Sequence, residues 1–392
     1  MPSHTRRRDF VGLLCANTIL GAAFPIQLVV GGLAGLMIAP DPTLATLPSS
    51  IQTLAGMLAA APFSTLMGRL GRKAGFSVGG LLTLFGALAA VQGLNANSFP
   101  LLCVAHFLMG AGWASFQYFR FAASEVVEEA RRPIAISLMS SSLLIAALVG
   151  PQIFMFAKDL LAPVAFAGAY AATGLIAVVG LLPLTIVRFP LLARQSHDRH
   201  GKASKASLAL SRSSVKIAIA TAAVSQGVMV FLMVPTPIAM VSAGLSADMA
   251  SDAIRWHIVA MFAPSFFTGF LIQRFGVKAI MITGLLIMIG AATFAATGIA
   301  AIHFYGSLIV LGIGWNFGFI GATSMLDAAL LDSEKAKVQG INDTLIGFVS
   351  TVGAFSAGFF LSSFGWMSLA LVSGALVALA LIALLMLVRD TS

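Results

Sequence analysis

Runs of about twenty apolar residues, repeated from one end of the chain to the other, constrain this sequence more than any single motif. They fall near 10–39, 44–67, 76–93, 98–123, 134–157, 163–187, 215–243, 251–272, 279–297, 303–327, 341–362 and 365–388. Each is long enough to cross a bilayer as a helix, and none alternates polar with apolar as a membrane strand would. The expectation is an all-α membrane protein with twelve transmembrane helices. Composition agrees: 59% of the 392 residues are hydrophobic and 9% charged, with a mean hydropathy of +0.97, whereas a soluble domain carries about a quarter charged residues. A disulfide scaffold is excluded because Cys15 and Cys103, the only cysteines, lie inside apolar runs. The same apolar excess excludes disorder.

The formal charge is +9, but its distribution argues against nucleic acid as a partner. Basic residues form short clusters between apolar runs rather than a continuous stripe. They occupy the N-terminal tail (Arg6, Arg7, Arg8) and the segments 68–75, 124–133, 188–214, 273–278 and 332–338, leaving only Lys158 and Arg255 on the opposite side. By the positive-inside rule both termini and the 188–214 segment are expected in the cytoplasm. The first run is too long for a signal-peptide core and lacks a clear cleavage site, so it is expected to stay as the first span. The basic, Ser-rich 188–214 segment reads as a linker between a bundle over 1–187 and another over 215–392.

The halves repeat. Arg69, Gly71 and Lys73 recur 205 residues later as Arg274, Gly276 and Lys278, and Glu129 and Arg132 recur at the same offset as Glu334 and Lys337. Gly110-Ala111-Gly112-Trp113 in span 4 recurs as Gly312-Ile313-Gly314-Trp315 in span 10. Two related six-helix bundles around a midplane cavity are what an alternating-access carrier requires. On these residues the chain resembles the major facilitator superfamily over essentially its whole length. The superfamily's loop motif G-x-L-A-D-R-x-G-R-R is met at Leu66, Arg69, Gly71, Arg72 and Lys73, and again at Gly269, Leu271, Arg274, Gly276 and Lys278. Its acidic position is Gly68 in one copy and Gln273 in the other, and the arginine common in span 4 is His106 here. The span 5 Gly-Pro pair survives as Gly150-Pro151. The resemblance implies two pseudo-symmetric six-helix bundles, with Arg69, Gly71, Arg72, Arg274 and Gly276 in loops that gate the cytoplasmic side. Anchoring at the anionic inner leaflet accounts for the same cations equally well.

Intramembrane charge, the usual pointer to cargo or coupling ion, is nearly absent. The carboxylates lie in loops or near helix ends, with Asp327 and Asp343 closest to the interior. Arg120, late in span 4, would meet an anionic cargo or snorkel to the inner leaflet. His106 would carry a proton or pack between helices. Spans 7 and 8 hold the informative pattern: Met229 and Met233 share one helix face, as do His257 and Met261. Thioether and imidazole are neutral, soft ligands that suit Cu(I). With 17 methionines in the chain, roughly 0.7 Met-x-x-x-Met pairs are expected by chance, and on residues alone ordinary methionine packing explains the pattern as well. Gln226 and Met240 flank the pattern as further transport-path candidates, although Pro235 and Pro237 are expected to bend the helix before Met240. Pro264 leaves the Ala260 carbonyl without its usual donor. Asp248 and Asp252 would draw cations to the outer loop or cap a helix beside Ser246 and Ser251.

The two motifs, with 28 residues from Met229 to His257 and the flanking Trp256 and Met261–Gly269 sequence, resemble the CcoA-type bacterial copper importers within that superfamily. The resemblance implies copper, as Cu(I), as the transported substrate, supply to cytochrome oxidase assembly, and Met229, Met233, His257 and Met261 as its ligands. It places the chain in the bacterial inner membrane as a monomer served by copper donor and acceptor proteins. Relatives of that branch carry riboflavin, so a small organic solute is the alternative cargo, for which Trp113 and Trp315 would matter and the four soft residues would not. No phosphate-binding glycine loop, hydrolase Ser motif, zinc His pair or Cys-x-x-Cys is present, so an enzyme is not expected. A sensor built on a transporter scaffold is disfavoured for want of an appended soluble domain.

Overall fold

The computed structural model describes residues 3–128, 132–189 and 209–390, and every described element is helical. The chain divides into two compact units, Met1–Gln195 and Ser196–Ser392. The first contains α1 (Ser3–Gly21), α2 (Ala23–Ile38), α3 (Leu47–Leu70), α4 (Arg72–Asn95), α5 (Phe99–Phe116), α6 (Phe119–Val126), α7 (Arg132–Ala157) and α8 (Ala167–Ile186). The second contains α9 (Ser213–Met233), α10 (Thr236–Ser242), α11 (Ala247–Phe262), α12 (Ser265–Phe275), α13 (Val277–Ala296), α14 (Ala301–Ala329) and α15 (Asp332–Asp390). Among the described residues, ten helical stretches are long and apolar enough to cross a membrane, and Ser141–Ala157 is a shorter apolar helix. The stretch Val338–Met386 is twice the needed length and breaks at Gly365, where φ is 76°. Counting it as two and adding the short helix accounts for twelve crossings. Glu129, the side chains of Arg132 and Lys337, and most of the 188–214 linker lie outside the described residues.

Prolines cut several spans into paired helices. Span 7 becomes α9 and α10 around Pro235, where the Thr236 hydroxyl donates back to the Leu232 carbonyl at 2.7 Å. Span 8 becomes α11 and α12 around Pro264. The two gating-loop glycines, Gly71 (φ 88°, ψ 163°) and Gly276 (φ 85°, ψ 150°), hold nearly the same left-handed conformation, so each loop copy reverses the chain in a backbone shape that a side chain would strain.

Each unit is inside out relative to a soluble bundle. Leu81, Phe85 and Leu88 on α4 and Leu175, Val178, Leu182 and Ile186 on α8 are exposed, while the faces turned inward carry Thr83, His106, Tyr170 and Thr173. Polar side chains are buried against partners because hydrocarbon offers them none. In the first unit α4 packs on α5 and α8, and α3 packs on α5; in the second α13 packs on α14 and α15, and α14 also takes α9 and α11. A buried cluster that includes Phe63, Phe76, Phe116 and Phe119 closes one end of the first unit, with the Phe76 and Phe119 rings stacked 4.0 Å apart.

One crossing recurs in both units. A Cβ on Gly110 of α5 would run into the backbone of Gln52 on α3. A Cβ on Gly312 of α14 would lie 2.8 Å from the His257 carbonyl oxygen and 3.0 Å from the Met261 amide nitrogen on α11. Gln52 and His257 are 205 residues apart, the offset of the loop motif. Since two of these obstacles are backbone atoms and the third is the Ala260 Cβ at 3.0 Å, Gly312→Ala is expected to cost about 1–3 kcal/mol, read as a lower melting temperature of the purified protein in detergent. The same change at the uncrowded Gly290, where a Cβ would meet nothing within 4 Å, should leave the melting temperature unchanged or raised.

Candidate functional site

In the second unit one stripe of α14 holds span 8. The Leu308 carbonyl accepts the Nδ1–H of His257 at 2.7 Å, Gly312 admits the α11 backbone, and the Asn316 amide donates to the Met261 carbonyl and the Ser265 hydroxyl, both at 2.7 Å. These three positions are four apart and share a helix face. The Thr268 hydroxyl closes the set by donating to Asn316 Oδ1 at 2.7 Å. Asn316 thus bridges the Pro264 break, binding the last turn of α11 and the first of α12. His257 is fully buried, and with its ring proton committed to Leu308 its Nε2 keeps a lone pair that meets no partner.

Met229, Met233 and Met261 are 3%, 4% and 6% exposed, and Met240 is fully buried on α10. The helices α9 and α11 both take α14 as a major neighbour, and α11 packs directly on α10, the outer end of span 7. Gln226, partly buried on α9, accepts the Trp315 indole N–H at 2.8 Å. Trp315 stacks on Phe319 with centroids 5.0 Å apart and meets the edge of Phe262. The first unit has its own indole stack, Trp113 on Phe24 at 4.5 Å, with α2 and α5 as the supports.

His106 does not stand alone. Its Nδ1 lies 2.7 Å from Gln52 Oε1 and its Nε2 2.7 Å from the Tyr170 hydroxyl, and the Gln52 amide donates to Gln27 Oε1 at 2.8 Å. Gln27, Gln52 and Tyr170 were not singled out from the sequence. The 205-residue offset from His257 is the signal that would have found Gln52. Arg120 is exposed, its guanidinium 4.9 Å above the Phe121 ring.

The loop cations divide into a paired group and an exposed one. Arg72 makes a forked ion pair with Glu125 of α6, at 2.6 Å for the shortest contact, and lies 5.8 Å from the Tyr118 ring centre. Glu125 thereby supplies a carboxylate to a loop motif whose own acidic position is Gly68. In the second unit Glu334, the repeat of Glu129 rather than of Glu125, is 4% exposed and receives both arms of Arg212 at 2.9 and 3.0 Å. Arg69 is exposed, as is Arg274, which sits over Phe275. At the outer loop Asp252 is engaged by Arg255 and by the Tyr305 hydroxyl. Ser246 rather than either aspartate caps α11, accepting from the Met249 amide at 3.1 Å. A carboxylate already paired with a guanidinium draws cations weakly, so the expected cation-attracting mouth is not what Asp252 forms.

A polytopic helical bundle with a repeated loop-and-glycine signature and buried polar helix crossings defines a membrane carrier. The sequence profile of the Major Facilitator Superfamily matches residues 11–254 and 217–392, and the chain belongs to that superfamily: it is a membrane transporter, not an enzyme. It is 35% identical to the Riboflavin transporter RfnT of Brucella anthropi over 91% of this chain and 89% of that protein. It is 28% identical to the uncharacterized MFS-type transporter YdeG of Bacillus subtilis over 87% and 83% of the two chains. Among solved structures, a point mutant of the nucleoside transporter NupG superposes with a TM-score of 0.75 at 12% identity, covering 96% of this chain and 98% of that one. The xylose transporter XylE from E. coli, in a partially occluded inward-open conformation, gives 0.74 at 14% identity over 97% of both chains. These structural likenesses establish the fold.

Replacing Asn316 by Leu removes both amide donors from the Pro264 break. The expected result is a loss of about 1–3 kcal/mol of stability, with faster hydrogen exchange confined to residues 261–268. Uniform protection across that break in the variant would show that α14 does not hold it.

Proposed function

We propose that this carrier moves a small, planar organic solute of the riboflavin class across the bacterial cytoplasmic membrane by alternating access, as a monomer with both termini inside. The halves would be the bundles of residues 1–187 and 215–392, joined by the 188–214 linker. The observation that carries the reading is the match to a riboflavin transporter over nine-tenths of the chain. The chemistry of the two units supports it. Each carries an indole stacked on a phenylalanine ring, and flat aromatic faces are what an isoalloxazine ring packs against. The buried faces carry neutral hydrogen-bonding groups that suit an uncharged heterocycle. In a riboflavin-auxotrophic host, expression should restore growth on low riboflavin and accumulate labelled riboflavin. Trp113→Ala and Trp315→Ala should each reduce that uptake by about tenfold, the loss of one aromatic stack at roughly 1–1.5 kcal/mol. Absence of riboflavin uptake by the wild-type chain at normal membrane abundance overturns the reading.

One observation favours copper as a second reading. The His257 imidazole has its Nδ1 proton tied to a backbone carbonyl and its buried Nε2 lone pair free, the arrangement that a metal-ligating histidine adopts. The buried thioethers of Met229, Met233 and Met261 are soft and neutral, as Cu(I) prefers. On this reading the cargo serves cytochrome oxidase assembly through separate copper donor and acceptor proteins. The two cargoes separate on one set of variants. Leu at Met229, Met233, His257 or Met261 should lower radiocopper accumulation several-fold if copper is carried, and should leave riboflavin uptake intact if riboflavin is. Wild-type copper accumulation by all four variants removes the copper reading.

A further inference from the structure

The first unit holds hydrogen-bonding capacity that its own contacts do not use, gathered at one helix crossing. Tyr170, His106, Gln52 and Gln27 form a chain with a fixed direction. Gln52 Oε1 has no hydrogen, so the His106 Nδ1 must carry the ring proton and donate it across 2.7 Å. The neutral ring's Nε2 can then only accept, and the Tyr170 hydroxyl donates to it at 2.7 Å. The Gln52 amide donates in turn to Gln27 Oε1 at 2.8 Å. The chain therefore ends on the Gln27 NH2 group, which donates to nothing among the described residues.

A second unused group lies beside it. The Ser49 hydroxyl, on a residue 4% exposed, makes no hydrogen bond. A Cβ on Gly31 would lie 2.5 Å from Ser49 Oγ and 2.6 Å from His106 Cε1, so Gly31 brings α2 directly onto both groups. Gln27 and Gly31 are four apart on one face of α2, and Ser49 and Gln52 three apart on one face of α3. The buried, unpaired Ser49 hydroxyl carries a desolvation cost of about 1–3 kcal/mol, and a bound partner relieves it.

We propose that this crossing is a solute subsite, in which the Gln27 amide and the Ser49 hydroxyl donate to a carbonyl or ring-nitrogen acceptor of a neutral heterocycle. Gln52, His106 and Tyr170 act as positioning residues that fix which way the Gln27 amide points. The inference rests on the organic-solute reading above. The donor set itself selects the ligand class. The Gln27 amide presents hydrogens, the Ser49 hydroxyl a hydrogen and lone pairs, the one imidazole lone pair is taken by Tyr170, and no charged side chain joins the chain of bonds, which suits a neutral cargo better than an ion.

The test is concentration-dependent riboflavin uptake into proteoliposomes holding the full-length protein, with Gln27→Leu and Ser49→Ala compared with wild type. Each variant should raise KM by about five- to tenfold, the worth of one hydrogen bond, with the maximal rate little changed. Tyr170→Phe, which frees the far end of the chain, should raise KM by a smaller factor. Ser49→Ala is the control against simple misfolding, since the hydroxyl gives the fold no bond to lose. Should Ser49→Ala melt at or above the wild-type temperature, a raised KM assigns the effect to the solute. Wild-type KM in both Gln27→Leu and Ser49→Ala overturns the subsite while the riboflavin reading stands. No riboflavin uptake by the wild-type protein overturns that reading and the subsite with it.

Discussion

The controlling constraint in this molecule is that a polar group inside hydrocarbon finds its partner within the bundle or goes without. Among the described residues the spans are largely apolar outside and bury Gln27, Gln52, His106, His257 and Asn316, and the bonds these five make record contacts between particular helices. Gly110 and Gly312 make the contacts possible by letting α5 and α14 lie directly on the backbones of α3 and α11. At that separation a side chain on one helix reaches a group on the other, and Gln52 and His257 occupy the same place in the two units.

From one crossing the two units derive opposite chemistry. The partner of Gln52 is a side chain, His106, whose second nitrogen is in turn used by Tyr170. The partner of His257 is the Leu308 backbone carbonyl, which can take one proton and pass nothing on. The first unit therefore ends its chain on hydrogen-bond donors, at Gln27, and the second ends on a bare acceptor, the Nε2 of His257. His106 and Leu308 stand at the same distance before the Gly-x-Gly-Trp signature of their spans. Two side-chain differences, Gln52 against His257 and His106 against Leu308, thus decide which unit offers hydrogens and which offers a lone pair.

What was legible in the sequence is what depends on local chain properties. The apolar runs became helices because their length and composition demand it, Gly71 and Gly276 took matching left-handed turns, and Pro235 and Pro264 broke spans 7 and 8 where the missing N–H requires. The burial of the Met229, Met233 and Met261 side chains followed from their apolar setting. What was not legible depends on which distant residues meet. Gln52 and Tyr170 lie 54 and 64 positions from His106, and nothing in a run of apolar letters ranks those encounters. Arg72 was read as an anchor or gate, but its forked pairing with Glu125 of α6 required the fold. Asp252 was read as drawing cations or capping a helix, and its engagement by Arg255 and Tyr305 required the fold.

The identity of the cargo turns on how a neutral lining discriminates. A lone pair from one imidazole, supported by thioethers, gains its affinity from a soft metal and almost nothing from a flavin. Stacked indoles and free amide and hydroxyl hydrogens gain theirs from a flat heterocycle with carbonyl groups and nothing from a monovalent ion. This chain contains groups of both kinds, the imidazole at the crossing of α14 with α11, and the indole stacks with the donors at the crossing of α2 with α3. A carrier is selective only when the groups it must desolvate are repaired by the cargo and by little else. At the first unit's crossing the Gln27 amide has hydrogens to donate and the Ser49 hydroxyl can donate its own, and the acceptors that take such hydrogens include carbonyl oxygens and ring nitrogens. On the proposed organic-solute reading the donors of the first unit meet the cargo, while the His257 lone pair is a feature that such a solute has no need of unless it carries a hydrogen-bond donor of its own.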